Sequence, residues 1–323
     1  MSNGNIDRDE KHGWLGEVLQ GGVPQLIAGP AGKAISRLIA AGADIPAAWI
    51  EGIAQGVRDK TSGRSQVSKA IAAKAAEMAT DDPKVMDRAL DALLTKSYKA
   101  QTNREEVAKV AVEELKQLPP PDDAREGPSD DWMNVFIRFA EDASSKKLQE
   151  MFGRILAGEV TQPGAFSLAT LRTIAELDQQ TAQDFSLVWV RSVGGAVDYS
   201  PDFKIGEWYS RWARLAEVGL MAATPSRQHL PEYLPVINGN GIWCPMRAMG
   251  TFLNVHFPKN CNAKWANIQF TRIGMQIGSI LALPDYEANI REAGLKLASA
   301  GVARIELKPA GKPTEVLFPT PDG

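Results

Sequence analysis

The chain has 323 residues, of which 44% are hydrophobic and 23% are charged, and its formal net charge at pH 7 is −3. This length suffices for two domains with separate hydrophobic cores, and the small net charge excludes a chain-wide attraction to nucleic acid or to anionic lipid. The two cysteines, Cys244 and Cys261, and a polar N-terminus without a signal-peptide pattern lead us to expect a cytoplasmic protein.

Segment 14–57 differs from the rest of the chain because it is rich in glycine, alanine and proline and has few charged residues. Its apolar spacing predicts two short helices, one over about 31–41 and one that begins at Asp44, a good N-cap residue. These helices cannot bury their apolar faces against each other alone, so we expect them to contact the remaining chain, a neighbouring subunit of a homo-oligomer or a membrane surface. The apolar side chains available for such a contact are Trp14, Ile35, Leu38, Ile39, Trp49 and Ile53.

Three longer helices are predicted next: one over 65–79, one that begins at Asp82 and Pro83, and one that begins near Thr102. Thr102 and Glu105 have the spacing of a capping box, in which the two side chains satisfy the first backbone N–H groups of a helix. Residues 1–118 are therefore predicted to form a helical region or bundle. Segment 119–131 begins with three prolines and is otherwise polar and acidic, which indicates a linker.

Residues 132–323 are predicted to form a second domain. Helical spacing of apolar residues continues to about residue 190, with Ser167 and Asp178 as N-caps. From about residue 195 the pattern is mixed: helices are predicted over 212–221, 270–281 and 286–300, and short strands over 252–257, 265–270, 305–307 and 316–318. The predicted fold is mainly α, with an N-terminal helical bundle and a C-terminal helical and α+β part.

No catalytic, metal or cofactor site is predicted. The segment AGPAGKA at 28–34 lacks both the first glycine and the Ser or Thr of a phosphate-binding loop. His229, Cys244, His256 and Cys261 are too dispersed for the paired ligands of a zinc site, and we expect Cys244 to be buried. We therefore expect a protein that is not an enzyme.

A metal-dependent nuclease is the least favoured alternative. Asp285, Glu306 and Lys308 resemble residues that hold a divalent ion and activate water in nucleases. However, Asp285 stands at the start of a predicted helix, where an N-cap role is expected.

A local basic surface is a second alternative. No acidic residue occurs between Glu232 and Asp285, a region that also contains several aromatic residues. Basic residues interleaved with aromatic ones are typical of nucleic-acid-binding surfaces, although a β-rich core with neutral alternate residues gives the same pattern. The basic residues of the region are Arg247, Lys259, Lys264 and Arg272.

The segment 130–178 carries a family resemblance. Trp132 and Phe136 precede an acidic turn, Leu148 and Phe152 lead into ILAGE at 155–159, and PGAFSLATL follows at 163–171. This pattern resembles the bacterial domain of unknown function 2806. The segments 215–221 and 269–277 resemble helix-end and Leu-Thr-x-x-Gly elements of winged-helix domains, with Phe270 in place of the leucine. The resemblance covers about 130–283 and implies a winged-helix-like part but no activity.

A looser similarity relates the chain to the abortive-infection Abi-alpha group, in which an apolar N-terminal region precedes a helical body. It implies a phage-defence role. Our leading hypothesis is therefore a non-enzymatic defence protein whose segment 14–57 contacts the inner membrane peripherally or contacts neighbouring subunits. The main alternative is a winged-helix-type nucleic-acid-binding protein.

Overall fold

The structure is a computed structural model that describes residues 29–40, 83–117, 126–230, 236–237, 240–258 and 261–319. The chain divides into two compact units, Met1–Leu171 (unit 1) and Arg172–Gly323 (unit 2). The helices predicted from Asp44 and over 65–79 lie outside the described residues, as do the side chains of Trp14, Trp49, Ile53 and Lys259.

The described part of unit 1 is helical. Its elements are α1 (Pro30–Ala40), α2 (Pro83–Gln117), α3 (Asp130–Asp142), α4 (Lys146–Thr161) and the beginning of α5 (Leu168–Glu176). Ser129 and Ser145 cap α3 and α4 by accepting hydrogen bonds from the backbone N–H groups of Trp132 and Leu148.

The predicted break at Thr102 is wrong, because α2 continues through it for 35 residues. The Thr102 hydroxyl donates to the carbonyl oxygen of Tyr98 at 2.9 Å, a bond within one helical turn, and the Glu105 carboxylate accepts from Gln101 at 2.8 Å. Neither side chain caps a helix end. A capping box is a local pattern, and this stretch contains no glycine or proline that would stop the helix.

The C-terminal half of α2 forms the centre of unit 1. Val107, Ala111 and Leu115 have no exposed surface, as their helical spacing predicts. Gly153 of α4 allows the closest approach, because a Cβ atom there would lie 2.4 Å from Cβ of Val110. In the N-terminal half of α2, by contrast, side chains such as Leu94 are largely exposed.

Helices on both sides of segment 119–131 pack together in unit 1, since α2 contacts both α3 and α4. Residues 118–125 lie outside the described residues. The linker and the domain bounds drawn from it stay a prediction.

Unit 2 begins with helices and a three-stranded antiparallel sheet. Its elements are α6 (Gln179–Trp189), β1 (Ala196–Asp198), a 3₁₀ helix (Pro201–Lys204), α7 (Gly206–Glu217), β2 (Ser226–His229) and, later in the chain, β6 (Lys264–Gln269) and α8 (Arg272–Gly278). The strand order is β1–β6–β2. Asp178 caps α6, as predicted.

A five-stranded antiparallel sheet in the order β3–β4–β5–β7–β8 forms the rest of unit 2. Its strands are β3 (Val236–Ile237), β4 (Asn240–Ala248), β5 (Thr251–Phe257), β7 (Arg304–Lys308) and β8 (Glu315–Phe318). Helix α9 (Tyr286–Leu295) and a 3₁₀ helix (Lys296–Ala300) accompany it, and the core includes Trp243, Leu253 and Ile290. The prediction of a mainly α chain with a C-terminal α+β part is confirmed.

The two segments of unit 2 that resemble winged-helix elements contact each other. Thr271, the N-cap of α8, donates its backbone N–H to the carbonyl oxygen of Leu220 at 3.0 Å and its hydroxyl to that of Gly219 at 2.6 Å. Gly274 lies so close that a Cβ atom there would be 2.1 Å from the Leu220 carbonyl oxygen. This contact explains why glycine stands at that position in the pattern.

Candidate functional site

The candidate site is a groove of about 570 Å³ in unit 2, between the three-stranded sheet and strand β4. This volume lies within the range of small-molecule sites. Polar groups dominate the lining, which contains two arginines and three side-chain amides but no acidic residue. The lining residues are Val193, Gly195, Ala196, Ser226, Arg227, Gln228, Pro245, Arg247, Trp265, Asn267 and Gln269.

Strand β6 forms one wall of the groove, because the side chains of alternate residues face it. Trp265, Asn267 and Gln269 are alternate residues of β6, so their side chains point to the same face of the sheet. Register places Ser226 and Gln228 of β2 opposite Asn267 and Trp265, which brings the polar side chains of both strands together.

Strand β4 forms the opposite wall and is held close by a glycine. Gly194 has a φ of +98°, and a Cβ atom there would lie 2.6 Å from the carbonyl oxygen of Arg247. Only glycine permits this approach. Pro245, which cannot donate a ladder hydrogen bond, lies where the pairing of β4 with β5 is irregular.

The two arginines of the groove are not neutralised within the described residues: neither Arg227 nor Arg247 has a carboxylate partner there. Several other arginines of unit 2 are paired; Arg211 and Arg214, for example, both contact Asp184. Unpaired guanidinium groups in an acid-free groove favour an anionic ligand, because their planar donors match phosphate and carboxylate.

Asn267 is the buried polar residue of the groove, with only 3% of its surface exposed. Its Nδ2 atom makes a long contact of 3.4 Å to the carbonyl oxygen of Trp265, and Oδ1 has no hydrogen-bond partner. A buried acceptor without a partner costs about 1–3 kcal/mol, so this amide is unsatisfied in the protein alone.

Of the three predicted basic residues that the structure describes, only Arg247 lies in the groove. Arg247 lines it, whereas Lys264 of β6 and Arg272 at the start of α8 are exposed outside its lining. Arg227 was missed because the acid-free stretch was counted from Glu232, which excludes it. Asn267 could be found only from the register, because neither its burial nor its missing partner has a sequence signal.

The thiols and histidines do not form a metal site: the described residues contain no group of three or more His, Cys, Asp or Glu side chains placed to hold a metal. The expectation that Cys244 is buried is wrong, because it is exposed at the β4 irregularity. Partial burial of the sulfur nevertheless raises the pKa of the Cys244 thiol, against the opposing effect of Arg247.

The acidic residues weighed for a nuclease have other contacts. Asp285 caps α9 by accepting from the backbone N–H of Ala288 at 3.0 Å, which confirms the N-cap prediction. Glu306 on β7 contacts His256 at 3.3 Å and Arg304 at 2.7 Å. These contacts give both carboxylates structural roles.

The described part of segment 14–57 packs inside unit 1. Leu38 has no exposed surface, and Ile35 and Ile39 are partly buried where α1 contacts α2, α3 and α4. Arg37 forms an ion pair with Asp130. Among the described residues, no helix is both long and apolar enough to cross a membrane.

The ILAGE and PGAF motifs meet at a buried carboxylate. Glu159 is 3% exposed, and its two oxygens accept hydrogen bonds from the backbone N–H groups of Gly164 at 2.7 Å and Phe166 at 2.8 Å. The indole N–H of Trp132 donates to the carbonyl oxygen of Phe166 at 2.8 Å. These bonds connect helix α3, Glu159 and the turn at 163–166. Glu159 therefore has a structural role.

Comparison with curated proteins and with solved structures found no match. Residues 87–198, from α2 to β1, match the family described as "Protein of unknown function (DUF2806)". The match begins earlier than the resemblance at 130–283 and ends before the segments 215–221 and 269–277. The match therefore confirms the resemblance to this family over residues 130–198.

Proposed function

We propose that unit 2 is a winged-helix-type nucleic-acid-binding module that contacts the phosphate backbone through an acid-free basic surface. The observation that carries the proposal is the charge distribution. The described residues 218–230, 236–237, 240–258 and 261–284 contain no acidic residue, and their basic side chains Arg227, Arg247, Lys264 and Arg272 are all exposed. Such a local surface attracts phosphates although the whole chain is slightly acidic.

The topology supports the winged-helix type. Helix α6, strand β1, a 3₁₀ helix and α7 precede β2, and β6 returns to pair between β1 and β2. A helical pair followed by a strand hairpin is the arrangement that this type of domain uses. The connection from β2 to β6 is long here and contains β3, β4 and β5, which belong to the five-stranded sheet.

The arginines of α7 are not counted as nucleic-acid contacts. Arg211 and Arg214 form ion pairs with the fully buried Asp184 at 3.2 and 2.6 Å, and Arg211 also stacks on the Trp208 ring. Their charges are therefore neutralised within unit 2. The phosphate contacts are assigned to Arg227 and Arg247 on the groove and to Lys264 and Arg272 beside it.

The test is salt-dependent binding of the full chain to labelled duplex DNA, single-stranded DNA and RNA, measured by fluorescence anisotropy. Because bound phosphates release counterions, affinity should fall steeply between about 50 and 200 mM salt. Charge reversal at both Lys264 and Arg272 should weaken binding about ten-fold or more and lower the slope of log affinity against log salt by about 2.

The matched control reverses Arg138 and Lys146, two exposed basic residues of unit 1, and so changes net charge equally. It should retain most of the affinity. Equal losses in the two double variants, or no binding to any of the three nucleic acids at low salt, would refute the proposal.

A further inference from the structure

We propose that the groove is a nucleotide site, in which Arg247 holds a phosphate and Asn267 accepts a hydrogen bond from the base or the sugar. The inference goes beyond nucleic-acid binding by the exposed surface, because it concerns a ligand seated between β4 and the three-stranded sheet. It stands on the groove volume, the unpaired arginine and the unsatisfied amide.

The unsatisfied atoms of unit 2 differ in their surroundings. Oγ of Ser192 and Nε1 of Trp243 lack partners too, and neither residue lines the groove. Nη1 of Arg191 and Oγ of Ser200 also lack partners, but both residues line a cavity of about 30 Å³. That volume suits a single water molecule, which would satisfy them. Asn267 lies instead on a groove of about 570 Å³, which accommodates a much larger ligand.

The lining selects the chemistry of the ligand. Arg227 pairs with Ala266, so alternation turns its side chain to the face of the sheet opposite Asn267. The guanidinium group of Arg247, which has no carboxylate partner among the described residues, favours an anionic group, and phosphate suits its bidentate geometry. An esterified phosphate, which is largely deprotonated at neutral pH, cannot satisfy Oδ1 of Asn267, because both are acceptors. The ligand must also present an N–H or O–H donor, which a nucleotide carries on its base and sugar.

The remaining amides fit the same ligand. Gln228 and Gln269 line the groove and can each donate and accept, as the edge of a base requires. The nucleotide has two sources, a free mononucleotide or one unit of a single strand, and both present this chemistry.

The experiment is calorimetric titration of the full chain with four nucleoside 5′-monophosphates, the matching nucleosides, inorganic phosphate and single-stranded tetranucleotides. We expect at least one monophosphate or tetranucleotide to bind about ten-fold or more tightly than inorganic phosphate and than the nucleosides. A monophosphate that binds as tightly as the tetranucleotide identifies the free nucleotide as the source; binding of the tetranucleotide alone identifies the strand.

Variants separate this site from the exposed surface. Arg247→Gln, which changes an exposed side chain, should weaken nucleotide binding about ten-fold or more, since it removes a charge-assisted contact. Arg138→Gln, which changes an exposed arginine of unit 1, is the matched control and should leave it unchanged. Asn267→Leu should also abolish the preference for nucleotide over phosphate, while the melting temperature without ligand is retained or raised, because the unsatisfied acceptor is gone.

Two results would overturn the proposal: no nucleotide that binds better than inorganic phosphate, or equal binding by wild type and Arg247→Gln. Neither result would remove the proposed nucleic-acid binding, because Lys264 and Arg272 lie outside the groove lining and their charge-reversed variant tests that binding separately. Conversely, mononucleotide binding with no retention of long DNA or RNA would support the groove site and remove the proposed function.

Discussion

Asp184 offers the sharpest test of how unit 2 is held together. Its carboxylate has no exposed surface and contacts both Arg211 and Arg214 of α7 from its position on α6. Gln180 donates to the same carboxylate at 3.2 Å. We predict that Asp184→Ala lowers the free energy of unfolding of unit 2, because it leaves the guanidinium groups of Arg211 and Arg214 without their common partner.

The expected loss follows from the burial of the pair. Removal of one partner of a buried ion pair costs about 3–5 kcal/mol. The side chains of Arg211 and Arg214 are 15% and 38% exposed, so water recovers part of that cost, and we expect the low end, about 3 kcal/mol. Since unit 2 spans residues 172–323, this corresponds to a fall in melting temperature of about 6–12 °C.

Differential scanning calorimetry of the full chain measures this change. Asp184→Asn keeps one oxygen as a hydrogen-bond acceptor, so its loss of unfolding free energy should be about half that of Asp184→Ala. Asp202→Ala is the control, because its contact with Arg191 is 3.4 Å long and exposed, and it should cost less than about 1 kcal/mol. Equal shifts for Asp184→Ala and Asp202→Ala would refute the assignment of Asp184 as a buried anchor.

Three further predictions concern other contacts. Glu159→Gln should cost about 2 kcal/mol in urea denaturation, because the new amide directs N–H groups at backbone donors that the carboxylate now satisfies. Gly274→Ala should cost about 3 kcal/mol or more and lower soluble yield, since its Cβ would collide with the Leu220 carbonyl oxygen. A hydrogen bond from Lys312 lowers the pKa of Glu287. This contact therefore stabilises the fold above the unfolded pKa of about 4.3, and the stabilisation is lost as pH falls through the folded pKa. Lys312→Met should lower the urea midpoint at pH 7 but not at pH 2.

Each of these predictions has a control. Glu126→Gln changes an exposed carboxylate and should be neutral, and Gly195→Ala should be tolerated because a Cβ atom there meets nothing within 4 Å. For the acid series, Lys308→Met removes an exposed lysine elsewhere in unit 2 and should leave the midpoint difference between pH 7 and pH 2 unchanged. If a control variant loses as much stability as its test variant, the corresponding contact makes no specific contribution to stability.

Much of the local structure could be predicted from the sequence where a single residue determines it. Asp178 and Asp285 cap the helices that follow them, as expected, because an N-cap depends on a side chain and the two or three residues after it. Gly219, with a φ of +74°, follows α7 for an equally local reason. Thr102 shows the limit of such patterns, since the same residue types are compatible with a helix interior.

The candidate site could not be predicted, because it depends on contacts between residues far apart in the chain. Arg227 and Asn267 lie near each other only because β2 pairs with β6, and about 35 residues of the chain separate these strands. Sequence charge identified Arg247 as part of a basic region, but its position opposite Asn267 depends on the approach at Gly194.

The hypothesis of membrane or subunit contact by segment 14–57 stays a prediction, and α1 narrows it. Leu38 is fully buried in unit 1 and Ile35 and Ile39 are partly buried, so the contact would depend mainly on Trp14, Trp49 and Ile53. Flotation of the full chain with anionic lipid vesicles tests this: a Trp14→Ser, Trp49→Ser double variant should lose the vesicle fraction if the hypothesis holds. Wild-type protein that stays with the unbound fraction would refute membrane contact.

The residues that hold unit 1 together lie inside the family match, whereas the ligand-favouring residues of the groove lie beyond it. Glu159 and its turn lie within the matched segment 87–198, and they are explained by packing and hydrogen bonds of unit 1. Arg227, Arg247 and Asn267 all lie beyond it. Arg227 and Asn267 are in β2 and β6, which form a sheet with β1, where the match ends, and Arg247 is in β4 of the five-stranded sheet. The matched segment thus accounts for a scaffold, while the features that favour a ligand belong to the C-terminal elements. It follows that family members which share only this segment should share the helical packing and lack the groove.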